Sequence, residues 1–424
     1  MIQLPEKFLE RMKSLLKENF NDFLASYELA PCKAVRVNTL KTDIDNFRRI
    51  SPFALEPVPW EPCGFYVGEE KAGKTVLHAA GAYYVQEASA MCAAPLLSVK
   101  GGERVLDLCS APGGKGTQLA QKMGGEGIIV LNEINSSRAK ILSSNVERLG
   151  IKNAVVTCAT PAEISSRFEG YFDKVLVDAP CSGEGMFKKE VNAIPEWSVE
   201  NVERCAARQA EILDCAAQSL KGGGRLVYST CTFSPEEDEL QTADFLKRHP
   251  EFALIEQKKL LPHEICGEGH YAALFKKQGG ESGEVRPFKI CPPDRKKTSL
   301  YRQFEEEYLK VRLGNLHLAA DTLYSIPEDC PEVKISILRA GVRLGEFRGD
   351  RFEPSHSLAM CLSAEEAACI ALDEKTALSY LSGNTFDCND AKGWAVAAYL
   401  GFPLGWCKCV NGTAKNHLPK GLRI

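Results

Sequence analysis

The sequence predicts an α/β fold built on a doubly wound, mostly parallel sheet, the Rossmann-like arrangement. From Gly101 onwards, short apolar runs alternate with segments of helical periodicity, and glycines bound the apolar runs. Strands that alternate with helices in this way form βαβ units, whose parallel sheet is covered by helices on both faces. Polar residues follow several of these runs, where the carboxyl ends of parallel strands face a ligand.

The predicted elements follow in a regular order. The strand-like runs are "RVLDLCS", "GIIVLNE", "AVVTCA", "KVLVDAP" and "GRLVYST", and the helical segments between them include "GTQLAQKM", "SSRAKILSSNVERLG" and "VERCAARQAEILDCAAQSL". In the last helix, apolar residues recur on one face: Val202, Ala206, Leu213, Ala217 and Leu220. The triple glycine from Gly222 to Gly224 predicts the end of that helix.

The length of 424 residues exceeds what one hydrophobic core usually serves, so several domains are expected. Residues 1–100 read as an α+β extension, with an amphipathic leading helix and the extended run "AVRVNTLK". Residues 101–279 hold the α/β domain. The stretch "KKQGGESGE" predicts a linker into a connecting domain, 280–345, and residues 346–424 contain the strand-like "GWAVAAYLGFPLGWCKCV".

Composition narrows the classes of function. The net charge of −4 argues against gross nonspecific nucleic-acid binding, but two local basic segments, Arg286 to Lys297 and the closing "KNHLPKGLRI", are compatible with either RNA contact or a solvated surface. No run of 18 apolar residues exists, and the leading helix carries charges throughout. The sequence therefore predicts no membrane span and no signal peptide, and a cytoplasmic location.

Seventeen cysteines are scattered along the chain without a CxxC pair, and the "CKC" of Cys407 and Cys409 does not fit the usual zinc spacing. We expect no metal site, and we expect these thiols to be mostly reduced residues that fill the core.

The segment "DLCSAPGGKGTQ" follows the first strand and predicts a cofactor loop. Its residues Cys109, Ser110, Ala111, Pro112, Gly113, Gly114 and Lys115 combine a tight turn with close approach of backbone amides. The helix that follows presents its positive N-terminus to an anion. This segment has neither a GxGxxG nor a GK[ST] pattern, since Gly116 follows Lys115, and that favours a cofactor with a carboxylate. Glu133, after the second strand, can hold both hydroxyls of a ribose. This is the general plan of S-adenosylmethionine binding.

Four segments together resemble the RNA (cytosine-5)-methyltransferases of the Nop/Sun class: "YYVQEASAM", "DLCSAPGGKGTQL", "DAPCSGEGMF" and "YSTCTFSPEEDE". The closing "GWAVAAYLGFPLGWCKCVNGTAKNHLPKGLR" resembles the C-terminal module of bacterial 16S ribosomal RNA methyltransferases of the RsmF type. The resemblance spans nearly the whole chain. It implies a class I S-adenosylmethionine-dependent methyltransferase fold with a PUA-like RNA-binding module, and 16S ribosomal RNA as the substrate; tRNA or another RNA is the alternative.

The sequence departs from this family's pattern after the third strand. Members usually carry an acidic residue there, near the adenine amino group of the cofactor, whereas this chain has Ala159 and Thr160. We therefore expect adenine recognition to use the backbone or Glu163.

Methylation of cytosine at C5 requires a thiolate that adds to C6 and makes the ring electron-rich. Two cysteines follow strands, Cys181 after the fourth and Cys231 after the fifth. Beside Cys231, the segment "SPEE" predicts a helix start, with Ser234 as the N-cap, Pro235 as the first helical residue and Glu237 completing a capping box. A nearby helix N-terminus favours a thiolate while the acidic residues oppose it, so residue chemistry alone leaves the two thiols nearly equal.

The resemblance ranks the two thiols. It implies that Cys231 is the nucleophile, that Cys181 assists breakdown of the covalent adduct, and that Asp178 holds N3 and N4 of cytosine close to the cofactor. Because the nucleophile of DNA cytosine methyltransferases is the cysteine equivalent to Cys181, the presence of Cys231 points to RNA and not DNA. The target base must be unstacked to reach the site.

Candidate phosphate contacts are spread over the flanking regions: Arg36, Lys188, Lys189, the 286–297 segment, Lys415, Lys420 and Arg423. A monomer is the default expectation. Two rival hypotheses remain: a P-loop nucleotidase, from "GEEKAGKT" with "KVLVDAP", and a noncatalytic RNA-binding scaffold.

Overall fold

A computed structural model describes residues 3–68, 71–389 and 391–424. The N-terminal region combines short helices with a four-stranded antiparallel sheet in the order β2-β3-β1-β4. Its helices are α1 (Glu6–Leu16), α2 (Phe20–Ser26), α3 (Ile44–Ile50) and α4 (Val76–Ala79); its strands are β1 (Lys33–Val37), β2 (Glu56–Pro57), β3 (Gly64–Val67) and β4 (Tyr83–Val85). A further helix, α5 (Ala93–Leu97), leads into the central sheet.

The central sheet has eight strands in the order β10-β11-β9-β8-β5-β6-β7-β14. Its strands are β5 (Arg104–Asp107), β6 (Ile128–Asn132), β7 (Ala154–Thr157), β8 (Phe172–Asp178), β9 (Leu220–Thr230), β10 (Phe252–Leu260), β11 (His270–Lys277) and β14 (Ile337–Ala340). Its helices are α6 (Gly114–Lys122), α7 (Ser136–Arg148), α8 (Pro161–Arg167), α9 (Val199–Ser219) and α10 (Glu239–Arg248). The five strands from β9 to β7 are parallel, as predicted.

The order of this sheet places a ligand site. The chain runs outward from β5 through β6 to β7 on one side, and from β8 to β9 on the other. The sheet therefore has its topological switch point between β5 and β8, where ligands bind in doubly wound folds. The strands are almost continuously apolar and buried, because helices cover both faces.

The triple glycine does not end α9 as predicted. The helix ends at Ser219, and Gly222 to Gly224 lie within β9, where the register against β8 shifts. A side chain at Gly222 would collide with the backbone of Gly279 and Gly280, so glycine is needed for close backbone approach.

The C-terminal regions hold two further sheets, in the orders β12-β13-β15-β16 and β17-β19-β20-β21-β18. Their elements are α11 (Arg295–Tyr308), β12 (Leu316–Ala319), β13 (Thr322–Ser325), β15 (Val342–Arg348), β16 (Arg351–Pro354), α12 (His356–Met360), β17 (Cys369–Leu372), α13 (Glu374–Leu381), β18 (Phe386–Asp387), β19 (Gly393–Tyr399), β20 (Phe402–Val410) and β21 (Thr413–Asn416).

Two strands cross the expected domain boundaries. The boundary after residue 345 divides β15, and β14 leaves the connecting region to pair with β7 at the edge of the central sheet. The N-terminal region is tied to the central sheet by a disulfide between Cys32 and Cys266, an exception to the expected reduced thiols. Within the described residues, no helix is both long and apolar enough to span a membrane.

Candidate active site

A cavity of about 950 Å³ opens at the carboxyl ends of the central strands, at the switch point. It joins the predicted cofactor loop to both predicted cysteines in one space. The predicted site residues that line it are Cys109, Ala111, Pro112, Lys115, Glu133, Asp178, Cys181 and Cys231; Ser110, Gly113 and Gly114 lie in the same loop without lining it.

Hydrogen bonds from and to its backbone fix the conformation of the cofactor loop. Ser110 donates its N–H to the carbonyl of Asn132 at 2.7 Å, and Arg138 donates to the carbonyl of Ala111 at 2.8 Å. Gly113 has a φ of 113°, a conformation that favours glycine, and α6 begins at the next residue. The loop therefore presents a preformed cradle at a helix N-terminus, as predicted from its glycines.

Asp107 is a site residue that sequence reasoning missed. It ends β5 beneath the loop and is fully buried, and neither its carboxylate oxygens nor Ser110 Oγ makes a well-aligned hydrogen bond. Burial raises the pKa of this carboxyl to about 7, although the neighbouring Ser110 hydroxyl and Cys109 backbone oppose the rise. Such polar atoms next to a cavity are typical of a site that a ligand completes.

Glu133 lies where the sequence predicts it, directly after β6 and only 3% exposed. One of its oxygens accepts the N–H of Asn135 at 2.9 Å, and the other lies 3.1 Å from the guanidinium of Arg138. A carboxylate has about four lone-pair directions, so these partners leave acceptors for two ribose hydroxyls.

The end of the third strand supplies no acidic side chain to the cavity. Thr160 lines it and caps α8, and the side chain of Glu163 turns back to accept hydrogen bonds from the N–H and hydroxyl of Thr160, both at 2.8 Å. Oε2 of Glu163 is therefore used in the helix cap, and whether the backbone or Glu163 contacts adenine stays a prediction.

Asp178 ends β8 with both carboxylate oxygens engaged. Oδ2 lies 2.8 Å from Nζ of Lys115, and Oδ1 accepts from Ser229 Oγ at 2.9 Å. Burial works against the charge of Lys115, but the Asp178 carboxylate outweighs burial and raises the pKa of this lysine. The pair connects the cofactor helix to the strand end that carries Cys181.

His270 is a second residue that sequence reasoning missed. It begins β11, is 2% exposed, and has its Nε2 atom 3.9 Å from Oδ1 of Asp178 without a hydrogen-bond partner. Burial, assisted by Lys115, lowers the pKa of His270 well below its usual value, so this imidazole is neutral. The segment "GEGH", which leads into β11 and ends at His270, matches no motif that would have predicted a site residue.

The sulfur atoms of Cys181 and Cys231 lie 3.3 Å apart, and both side chains are partly exposed to the cavity. The hydrogen bond between the thiols and the burial of Cys181 raise the pKa of Cys181 well above its usual value. Either sulfur can be the donor in this contact, so the geometry allows a proton to pass between the two thiols in either direction.

The predicted helix start at "SPEE" is wrong. Residues 235–238 form a turn, and α10 begins at Glu239 with Asp238 before it. Ser234 and Glu237 are instead recruited into tertiary contacts: Ser234 Oγ donates to Glu184, and the Glu237 carboxylate accepts from Ser182 and Gln209. Tertiary hydrogen bonds replace the local capping box because these side chains are buried among polar groups of other elements.

The predicted role of Arg36 in phosphate contact is also wrong. Its side chain is 1% exposed and donates to Gln121, Gln86, Thr117 and the carbonyl of Gly114. Arg36 thus fastens the N-terminal sheet to α6. The other candidates, Lys188, Lys189, the 286–297 segment, Lys415, Lys420 and Arg423, keep at least part of their surface exposed.

The P-loop hypothesis fails on geometry. Glu69 and Glu70 lie outside the described residues. Thr75 is the N-cap of the four-residue α4, and its hydroxyl also contacts Tyr83 at 2.5 Å. The apparent Walker B strand, β8, belongs to a different sheet. Among the described residues, no cluster of metal-ligating side chains is found.

Comparison with protein families gives four consecutive matches. The description 16S rRNA methyltransferase RsmB/F covers residues 94–283. The flanking matches are the N-terminal domain of 16S rRNA methyltransferase RsmF (4–88), the RsmF rRNA methyltransferase first C-terminal domain (303–362) and the methyltransferase RsmF PUA domain (367–424).

Among solved structures, a methyltransferase homolog protein from Pyrococcus horikoshii is 28% identical, with a TM-score of 0.59 over 65% of this chain and 96% of its own. NSun6 from the same organism, crystallised with SFG, has a TM-score of 0.59 at 21% identity over 64% of this chain and 98% of its own. The predicted class I methyltransferase fold and PUA module are confirmed.

Several relatives that match over nearly their full length carry the name ribosomal RNA small subunit methyltransferase F. The protein from Vibrio vulnificus is 32% identical over 99% of this chain and 98% of its own, and that from Erwinia tasmaniensis is 30% identical over 99% and 96%. Since the match runs from one end of the chain to the other, this protein belongs to the ribosomal RNA small subunit methyltransferase F family.

Proposed function

We propose that this chain transfers a methyl group from S-adenosylmethionine to C5 of a cytidine in 16S ribosomal RNA. The observation that carries the proposal is the pair of sulfur atoms, Cys181 and Cys231, 3.3 Å apart in the cavity that also holds the cofactor loop. The names of the family's members support ribosomal RNA as the substrate.

The residues present fit S-adenosylmethionine. The N-terminus of α6 and the 109–115 loop can hold the methionine carboxylate, and Glu133 can hold the ribose hydroxyls. Asp107 and Ser110 have polar atoms without well-aligned hydrogen bonds beneath the loop. When bound, the cofactor supplies an electrophilic methyl group on a positively charged sulfur.

In the proposed reaction, Cys231 adds as thiolate to C6 of the cytosine, forming a carbon–sulfur bond and shifting the ring's electron pair toward C5. Asp178 lies at the N3 and N4 edge of the base, where its carboxylate accepts a hydrogen bond from the N4 amino group, and Lys115 keeps that carboxylate in place at 2.8 Å. After C5 is methylated, a base removes the C5 proton, and the electrons re-form the C5–C6 double bond as Cys231 leaves. Cys181 assists this breakdown.

The 3.3 Å contact between the two sulfur atoms supports a reaction in which both thiols take part. Either atom can be the donor in this contact, so the family resemblance carries the ranking of Cys231 as the nucleophile. A protonated Cys181 can donate to the departing sulfur.

The proposed RNA surface includes Lys188 and Lys189, which follow the Cys181 loop. Met186, two residues before Lys188, lines the cavity, so the two lysines follow a cavity residue along the chain. The PUA module and the exposed 286–297 segment extend this surface. All reacting groups come from one chain, so the proposed reaction needs no second copy. Ribosomal RNA as the substrate implies that the protein acts in the cytoplasm.

Bisulfite sequencing of ribosomal RNA tests the proposal. Cells that lack the protein should lose 5-methylcytidine at one or more sites in 16S ribosomal RNA, and an unchanged map would refute it. Trapping tests the thiols: we expect Cys181→Ala to accumulate a covalent RNA adduct and Cys231→Ala to form none. The reverse pattern would exchange the two roles.

A further inference from the structure

The two cysteine-bearing loops are joined by buried glutamates in a reciprocal arrangement. The first loop, residues 179–186, follows β8 and carries Cys181 and Glu184; the second, residues 231–238, follows β9 and carries Cys231 and Glu237. Glu184 is 1% exposed and Glu237 is fully buried. Neither carboxylate lines the cavity, so neither is explained by contact with a substrate.

Glu237 of the second loop holds the first loop beside Cys181. Its carboxylate accepts the N–H of Ser182 at 2.9 Å and also accepts from the hydroxyl of Ser182. A third hydrogen bond comes from Nε2 of Gln209 at 2.8 Å, and the same amide group donates to the carbonyl of Pro180 at 3.1 Å. The residues on either side of Cys181 are thus fixed through Glu237.

Glu184 of the first loop holds the second loop beyond Cys231. Its carboxylate accepts the N–H of Phe233 at 2.9 Å and the hydroxyl of Ser234 at 2.8 Å. Nε1 of Trp197 donates to it at 2.9 Å. Next to it, the N–H of Gly185 donates to the carbonyl of Cys231 itself at 2.9 Å.

Each loop therefore carries one cysteine and the carboxylate that anchors the other cysteine's loop. Burying two carboxylates is unfavourable unless their hydrogen bonds are made, and charge-assisted hydrogen bonds are roughly twice as strong as neutral ones. Burial raises the pKa of Glu237 to about 7 although Ser182 and Gln209 oppose the rise. A buried carboxylate with its hydrogen bonds made occurs in both directions at the same pair of thiols, and this reciprocity indicates a functional constraint on their separation.

We propose that Glu184 and Glu237 are positioning residues, a reciprocal latch that sets the distance between the sulfur atoms of Cys181 and Cys231. The proposal rests on the proposed function, in which Cys231 forms the adduct and Cys181 assists its breakdown. Glu237 then controls breakdown because it fixes Cys181, and Glu184 controls adduct formation because it fixes Cys231.

The test compares full-length Glu237→Gln and Glu184→Gln with Glu236→Gln, a neighbouring glutamate paired with Arg11 on α1. With substrate RNA and S-adenosylmethionine, we expect Glu237→Gln to raise the fraction of enzyme trapped as RNA adduct several-fold. Glu184→Gln should instead slow adduct formation about tenfold with little adduct trapped. Cofactor affinity should stay within twofold in both. Equal losses of activity in the two variants, without this split in adduct fraction, would overturn the proposal.

A second measurement needs no RNA, so it separates failure of the latch from failure of the proposed function. Diamide oxidises two nearby thiols to a disulfide and takes up their two hydrogens, and mass spectrometry of peptides identifies the Cys181–Cys231 product. We expect this product to form at least fivefold more slowly in both latch variants than in Glu236→Gln.

Ser182→Ala and Ser234→Ala, which each remove one latch hydrogen bond, should show the same trend if a glutamine variant fails to fold. Equal rates in all folded variants would refute the latch even if the enzyme methylates cytidine. A wild-type protein that oxidises rapidly but forms no RNA adduct would refute the proposed function alone.

Discussion

Nζ of Lys115 lies 2.8 Å from Oδ2 of Asp178, and this ion pair joins the cofactor loop to the strand end where the target base is proposed to bind. Lys115 is nearly buried, with 8% of its side chain exposed, whereas Asp178 keeps 33% exposed toward the cavity. The lysine therefore serves as a fixed positive charge behind a carboxylate that still reaches a ligand. A displacement of the cofactor loop would therefore also displace the carboxylate at the proposed base site.

Substitution of Lys115 by methionine should lower kcat/KM for RNA methylation by about 30- to 10³-fold. Removing one partner of a buried ion pair costs roughly 3–5 kcal/mol, and the exposure of Asp178 reduces this to about 2–4 kcal/mol. Steady-state methyl transfer to RNA measures the effect. Lys122→Met is the matched control, because Lys122 lies on the same helix and pairs with Glu61 at 2.9 Å outside the cavity. Equal losses of kcat/KM in both variants would contradict the assigned role.

Glu133→Gln should weaken binding of S-adenosylmethionine by about 10- to 100-fold, since a charge-assisted hydrogen bond to a hydroxyl is worth about 1.5–3 kcal/mol. The fold should persist because the amide oxygen can still accept the N–H of Asn135. Isothermal titration calorimetry measures the affinity. Glu163→Gln, which changes a glutamate in the first turn of α8 outside the cavity, should leave cofactor affinity unchanged; a comparable loss there would identify Glu163 as an adenine contact.

The sequence was informative where function depends on local order along the chain. The parallel strands, the 109–115 loop, Glu133 and the two strand-end cysteines were predictable, because each follows a recognisable apolar run and the switch point gathers strand ends at one edge. His270 and β14 were not predictable in this way. They reach the site and the sheet from distant segments, and pairing across such distances leaves no periodic signal.

Polar residues were the other source of error. Arg36 has the positive charge of a phosphate contact, and Ser234 with Glu237 has the spacing of a capping box. All three side chains are instead buried and hydrogen-bonded to other elements. A capping box contributes about 1 kcal/mol, whereas leaving a buried carboxylate without its partners costs more than this. Tertiary contacts therefore determine the conformation of these side chains, and such contacts cannot be predicted from the local sequence.

Gly116→Ala should destabilise the protein although alanine favours helices over glycine by about 1 kcal/mol. A Cβ atom at this position in α6 would lie 2.5 Å from Ser110 Oγ, 2.6 Å from Asp107 Oδ2 and 2.6 Å from Leu131 Cδ2. Overpacking of this kind costs about 1–3 kcal/mol, and it also displaces the cofactor loop. Urea unfolding should show a net loss, and Gly73→Ala, with no atom within 4 Å of the new Cβ, should show none. A stabilised Gly116→Ala would contradict the tight packing beneath the loop.

Stability should fall in mild acid through His356, at the start of α12. Burial lowers the pKa of His356 from 6.5 to about 4; Glu147 opposes this shift, and Lys41 and Arg339 assist it. Between these pH values the unfolded chain binds a proton that the folded chain does not, so stability is complete above pH 6.5 and declines as the pH falls toward 4. At pH 5 the contribution is at most about 2 kcal/mol. His356→Asn removes this titration. In urea unfolding at pH 7.5 and pH 5.0, the free energy of unfolding should therefore drop less for the variant than for the wild type. An equal drop in both proteins would mean that His356 titrates normally in the folded state.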